Sequence, residues 1–225
     1  MKTNHLSSLL FALLFAFAGT TVVRAQQNRP PFYDEISQFK KQDSISVPAK
    51  GGIVFVGSSS VRMWSDLEKL YKAYGAINRG FGGSTLKDAA YYTKELVSVY
   101  KPRQVVIYSG ENDLAAGASS IETLNRFATF FTDIRNNQPD VPVIFISIKE
   151  SPSRTRIGAA ILHANSLIKE YLSHYPNTQF VEVNSKMKTA GGKLRPELFR
   201  DDMLHMKPAG YAIWAKELTP YLLKK

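Results

Sequence analysis

Ile53-Val54-Phe55-Val56-Gly57-Ser58-Ser59-Ser60 joins four apolar residues to a glycine and three serines. β-Branched and aromatic side chains suit a pleated surface. An unbroken apolar run bounded by turn residues, here Pro48 and Gly51-Gly52 before it and Gly57 after it, predicts a strand buried on both faces. Runs of the same kind recur at Ala76-Ile77-Asn78, at Val105-Val106-Ile107-Tyr108, over 141–148 with a break at Pro142, and over 179–183. Stretches of helical period fill the gaps at 61–74, 85–100, 121–136, 157–175 and 208–223, and a short helix is expected over 32–41. Strands alternating with helices long enough to cross over predict a three-layer α/β/α sandwich around a five-stranded parallel, flavodoxin-like sheet. In such a sheet, functional groups gather beyond the carboxyl ends of the strands. The residues directly after each apolar run are therefore the candidates.

The whole chain has 225 residues, 44% of them hydrophobic and 21% charged, which supplies a sizeable core and excludes wholesale disorder. It has no cysteine. That removes disulfide frameworks, thiolate zinc sites, iron–sulfur clusters, thiol nucleophiles and lipid attachment through an N-terminal cysteine. Lys2 and His5 precede an unbroken apolar run over 9–18, and Val23-Arg24-Ala25 places small residues where a signal peptidase reads. A signal peptide is expected over 1–25, with one domain over 26–225 and a secreted or periplasmic location. The apolar run is shorter than the roughly 20 residues that span a bilayer, so no stable membrane insertion is expected. Lys2 and Arg24 leave with the signal and no acid does, which lowers the net charge from +10 to +8. That charge invites a nucleic-acid partner, but no RNA- or DNA-binding motif accompanies it. The chain also lacks a dinucleotide fingerprint and a Walker-type phosphate loop.

After the first run, a serine at a helix start lies near free backbone N–H groups that can hold a developing negative charge. Serine is equally a preferred helix N-cap. The second run is followed by Gly80-Phe81-Gly82-Gly83-Ser84-Thr85, where glycines permit a tight turn or close approach to a ligand. The third is followed by Ser109-Gly110-Glu111-Asn112-Asp113: the Asn112 amide can donate to an oxyanion, and Asp113 can cap a helix or fix the loop. Near the end, Asp202 and His205 are three residues apart, a spacing that lets a carboxylate orient one imidazole nitrogen and leave the other as a base. His163 and His174 fall within or at the end of a predicted helix, whereas His205 sits in a loop beside a carboxylate. In the loop after the fourth run, Arg154 and Arg156 are candidates to meet an acidic sugar, or else are solvated helix-start arginines. Met63 and Trp64 read as core.

Taken in order, Gly57-Ser58-Ser59, Gly83, Asn112 and Asp202-x-x-His205 resemble the blocks of the SGNH hydrolases, the GDSL-type esterases and lipases, over about residues 53–223. The likeness is nearest to the compact esterases of the platelet-activating-factor acetylhydrolase type. The resemblance implies Ser59 as nucleophile, His205 as base and Asp202 as its acid. It also implies an oxyanion hole made of the Ser59 and Gly83 N–H groups and the Asn112 amide, with no metal or other cofactor. Ser58 stands where the family commonly has aspartate, which leaves Ser58, Ser59 and Ser60 as adjacent serines to be told apart. The expected activity is hydrolysis of short acyl esters, acetyl foremost, on a carbohydrate or other polar alcohol, since no long apolar lid segment is evident. Acyl transfer to a sugar and non-catalytic carbohydrate binding on the same scaffold are the alternatives.

Overall fold

The computed structural model describes residues 29–224, so the expected signal segment lies outside the described residues. Among the described residues, 29–34 fall in one compact unit and 35–224 in another. In the first unit, Arg29 pairs with Asp34 at 2.9 Å. Helix α1 covers Tyr33–Ile45.

The sheet consists of β1 (Ile53–Gly57), β2 (Ala76–Gly80), β3 (Gln104–Tyr108), β4 (Val143–Ile146) and β5 (Thr178–Val181). Its spatial order is β2-β1-β3-β4-β5 and every pairing is parallel. Every residue of β1, β3 and β4 is buried, which is why these segments, apart from Gln104 at the start of β3, form continuous apolar runs rather than alternating. On one face Ile53, Phe55, Val106, Tyr108, Ile144 and Ile146 join a core with Trp64, Leu67, Tyr71 and Trp214. These last residues come from the crossover after β1, with α2 (Ser59–Arg62) and α3 (Leu67–Leu70), and from the last helix, α9 (Pro208–Leu218). The other side carries α4 (Leu86–Tyr91), α5 (Thr93–Leu96), α6 (Glu111–Ala115), α7 (Ser120–Asn137) and α8 (Gly158–Ser173). There Phe127 of α7 packs edge-on against Phe145 of β4. The architecture is the expected three-layer α/β/α sandwich.

Two of the expected helices are broken. The 61–74 segment becomes α2, α3 and a 3₁₀ turn at Lys72–Tyr74. Val61, Trp64, Leu67 and Tyr71 keep the helical spacing and are all buried, but Ser65-Asp66, residues that favour caps and turns, interrupt the helix between them. The 85–100 segment splits into α4, α5 and a 3₁₀ turn at Ser98–Tyr100. The Thr93 hydroxyl donates back to Ala90 O at 2.8 Å, a contact that bends helices.

The chain leaves β1 for β2 on one side and returns to β3 on the other, opening a crevice between the carboxyl ends of β1 and β3. The turn leaving β1 is held tightly. A Cβ at Gly57 would stand 1.9 Å from Tyr108 O, and one at Gly80 would stand 2.2 Å from the Arg62 nitrogen. These glycines let α2 start directly against its neighbouring strands.

Candidate active site

The three adjacent serines differ in what they touch. Ser58 is buried, and its carbonyl accepts from the Val61 and Arg62 N–H groups of α2. Ser60 is buried, and its carbonyl accepts from the Tyr211 hydroxyl at 2.9 Å. Ser59 begins α2, and its Oγ lies 2.9 Å from His205 Nε2. The other imidazole nitrogen, Nδ1, is 2.7 Å from Asp202 Oδ2. With Nδ1–H donating to that carboxylate, Nε2 is the acceptor for the Ser59 hydroxyl. Asp202 Oδ1 also accepts from the backbone N–H groups of Leu204 and His205, each at 2.9 Å. Burial pushes the Asp202 carboxyl up, but the hydrogen bonds from His205 and from these backbone groups outweigh it and bring its pKa to about 2. Met203, between acid and base, adopts a left-handed φ of 53°, the kind of backbone strain that gathers at functional sites.

Gly83 has φ +76°, and a Cβ there would meet nothing within 4 Å, so the conformation rather than crowding favours glycine. Among the described residues no acceptor binds the backbone N–H of Ser59 or of Gly83. One residue earlier, the Gly82 N–H donates to Glu35 Oε1 at 3.1 Å, and the same carboxylate pairs with Arg62 of α2 at 3.2 Å. Helix α1 thereby ties the glycine loop to the serine helix. The Asn112 side chain donates from Nδ2 to Ser84 O at 3.0 Å, leaving its second N–H for another acceptor. Asp113, fully buried, accepts from Leu86 N at 3.0 Å and pairs with Arg126 at 2.9 Å, fixing the loop after β3 against the start of α4. Burial raises its pKa against the pull of Arg126. The arrangement suits transfer of an acyl group to serine: a base sits on its hydroxyl, and the Ser59 and Gly83 N–H groups and one N–H of Asn112 are left for a ligand.

The GDSL-like Lipase/Acylhydrolase family matches residues 43–213. The chain belongs to that family. No curated protein sequence matches it. Solved structures share the fold at low identity. A Streptococcus pneumonia protein described as a platelet activating factor is 22% identical, with a TM-score of 0.74 over 94% of this chain and 99% of its own. A GDSL-like lipase from Bacteroides thetaiotaomicron is 23% identical, with a TM-score of 0.70 over 83% and 96%. An acetylxylan esterase from Geobacillus stearothermophilus is 18% identical, with a TM-score of 0.62 over 80% and 97%.

This GDSL-family hydrolase also holds a buried charge cluster beside the site that sequence reading missed. Lys149, fully buried, donates to Glu111 Oε2 at 2.7 Å, and the Tyr108 hydroxyl donates to the same oxygen at 2.8 Å. Ser151 Oγ donates to Glu111 Oε1 at 3.1 Å. Burial works to raise the Glu111 pKa, but the Lys149 ammonium and the other donors hold it below the ordinary carboxyl value. Burial pushes the Tyr108 hydroxyl well up, and the Glu111 charge adds to that. A signal existed in that Glu111 and Lys149 each stand just beyond an apolar strand run, where a charge needs a partner. Of the two candidate substrate arginines, Arg156 is exposed in the 3₁₀ segment Pro152–Ile157. Arg154 instead turns inward, donating to Asn112 Oδ1 at 3.0 Å and pairing with Glu111 at 3.5 Å.

Proposed function

We propose that this hydrolase is a secreted serine esterase that removes short acyl groups, acetyl foremost, from a carbohydrate or other polar alcohol. The observation that carries the reading is the continuous line Asp202–His205–Ser59, ending on the one serine of three that faces a base. In the proposed mechanism, His205 takes the Ser59 proton as the oxygen attacks the ester carbonyl, and Asp202 fixes the imidazole tautomer. The Ser59 and Gly83 N–H groups and the Asn112 amide stabilise the oxyanion. The alcohol then leaves with the proton from His205. Water, deprotonated by the same imidazole, attacks the acyl-enzyme and releases the acid. Export rests on the N-terminal sequence, and the remaining positive charge suits an acidic envelope or polysaccharide surface.

Water access favours hydrolysis over acyl transfer: the Asp202 side chain is 47% exposed, and Gly83 also faces solvent. The intact serine–imidazole contact weighs against a purely binding role. The likeness to an acetylxylan esterase makes acetylated xylan the first polymer to try. The test compares wild type with Ser59→Ala on an aryl acetate and on acetylated xylan, with and without a free sugar acceptor. Acetate release that vanishes in the variant supports the reading. Equal release from both proteins refutes it, and acetyl sugar in place of acetate would establish transfer.

A further inference from the structure

Asn112 sits between two groups of opposite demand. The Ser84 carbonyl, an acceptor, lies 3.0 Å from Nδ2, and the Arg154 guanidinium, a donor only, lies 3.0 Å from Oδ1. Turning the amide over would set its NH₂ against a cation and its oxygen against a carbonyl, losing both hydrogen bonds at once. The guanidinium is in turn held by Glu111, 3.5 Å away, which is buried and fixed by Lys149, Tyr108 and Ser151. The backbone carrying Arg154 is pinned as well, because Ser153 donates to Met203 O through both its N–H and its hydroxyl at 3.0 Å. Met203 lies between Asp202 and His205. Arg154 therefore touches the Asn112 amide while its neighbour Ser153 touches the acid–base loop.

We propose that Arg154 is a positioning residue: it locks the Asn112 amide with an N–H toward the acyl oxygen, with Glu111 as its buried anchor. This inference rests on the esterase reading for its kinetic consequence but not for its geometry. A substrate-binding arginine would act through affinity for anionic esters. An arginine acting through Asn112 lowers turnover of a neutral ester and does nothing once the amide is gone.

The experiment is a double-mutant cycle on a neutral aryl acetate, with Arg154→Met, Asn112→Ala and the pair, read as kcat and KM separately. Removing an oxyanion donor costs on the order of 10²–10³ in kcat, and losing its orientation should cost part of that, about 10-fold or more. Arg154→Met is expected to lower kcat with little change in KM, and to add nothing in the Asn112→Ala background. Losses that multiply in the pair, or a change confined to KM, overturn the proposal. A second readout needs no substrate: the side-chain NH₂ resonances of Asn112 in the free protein, assigned by their loss in Asn112→Ala. They should shift or broaden in Arg154→Met while the backbone amide spectrum stays folded, and unchanged Asn112 resonances overturn the proposal. If the wild type cleaves no ester but those resonances move, the esterase reading fails and the positioning role stands.

Discussion

His205 Nε2 stands 2.9 Å from Ser59 Oγ, joining the first strand's exit to a loop 146 residues later. The contact depends on Asp202, which binds the imidazole and also the two backbone N–H groups that shape the loop. Asp202→Asn keeps the shape but can present its NH₂ to Nδ1 and favour the wrong tautomer. Turnover should fall on the order of 10³, below the full effect of a buried triad acid because this carboxylate is partly solvated. Steady-state kinetics on an aryl acetate, with circular dichroism to verify the fold, check this. Retained turnover would show that Asp202 does not set the tautomer.

Asn112 and Gly83 separate a lost donor from a strained one. Asn112→Ala should cost on the order of 10²–10³ in kcat. Gly83→Ala meets no neighbouring atom, but it forces an alanine into left-handed backbone at about 1–2 kcal/mol. The loop should relax out of that conformation and move its N–H, so activity falls while the melting temperature changes by a few degrees at most. An active Gly83→Ala protein would place the oxyanion elsewhere.

Glu111→Gln removes the charge that compensates a fully buried Lys149. Breaking a buried pair from one side costs about 3–5 kcal/mol, because the remaining ion has neither water nor a partner. Urea unfolding should show a loss of that size. Replacing both residues, Glu111→Met with Lys149→Met, should recover only part of that stability, since the buried Tyr108 and Ser151 hydroxyls still lose their acceptor, and should not recover turnover, since Arg154 also loses its anchor. A single variant as stable as wild type would contradict the pairing.

Acid should weaken the fold through its paired carboxylates. Asp202 and Glu111 both have folded pKa values below their ordinary ones, so each stabilises the fold above the carboxyl range and loses that contribution as pH falls. For Asp202 the loss spans about 3.8 down to about 2. Urea unfolding at a series of pH values checks this: stability should fall as pH drops from about 3.8 toward about 2, and an unchanged stability over that window would contradict the Asp202 pairing.

Much of the fold was legible because the central strands are buried on both faces. Ile53 to Val56 and Val105 to Tyr108 had to be apolar throughout, and a pattern that strong survives in a linear reading. The breaks at Ser65-Asp66 and Thr93 were not, because the buried positions around the first break keep helical spacing whether or not the helix is continuous. Gly83, Asn112, Asp202 and His205 were readable as residue types placed after strands or before the last helix. Ser59 was implied by the family resemblance, but its residue type alone did not separate it from Ser58 and Ser60, because side-chain direction depends on where α2 starts.

Sequence alone determined the alternation of strands and helices, the absence of thiol chemistry and the set of residues available for acyl transfer. These follow from local periodicity and side-chain chemistry, which do not depend on distant partners. Tertiary structure alone decided that Lys149 is matched by Glu111 across 38 residues, and that Arg154 turns inward to Asn112 rather than out to solvent. The reason is physical. A charge or hydroxyl commits to a partner only when strand order and register bring one within hydrogen-bond reach and burial removes the competing water.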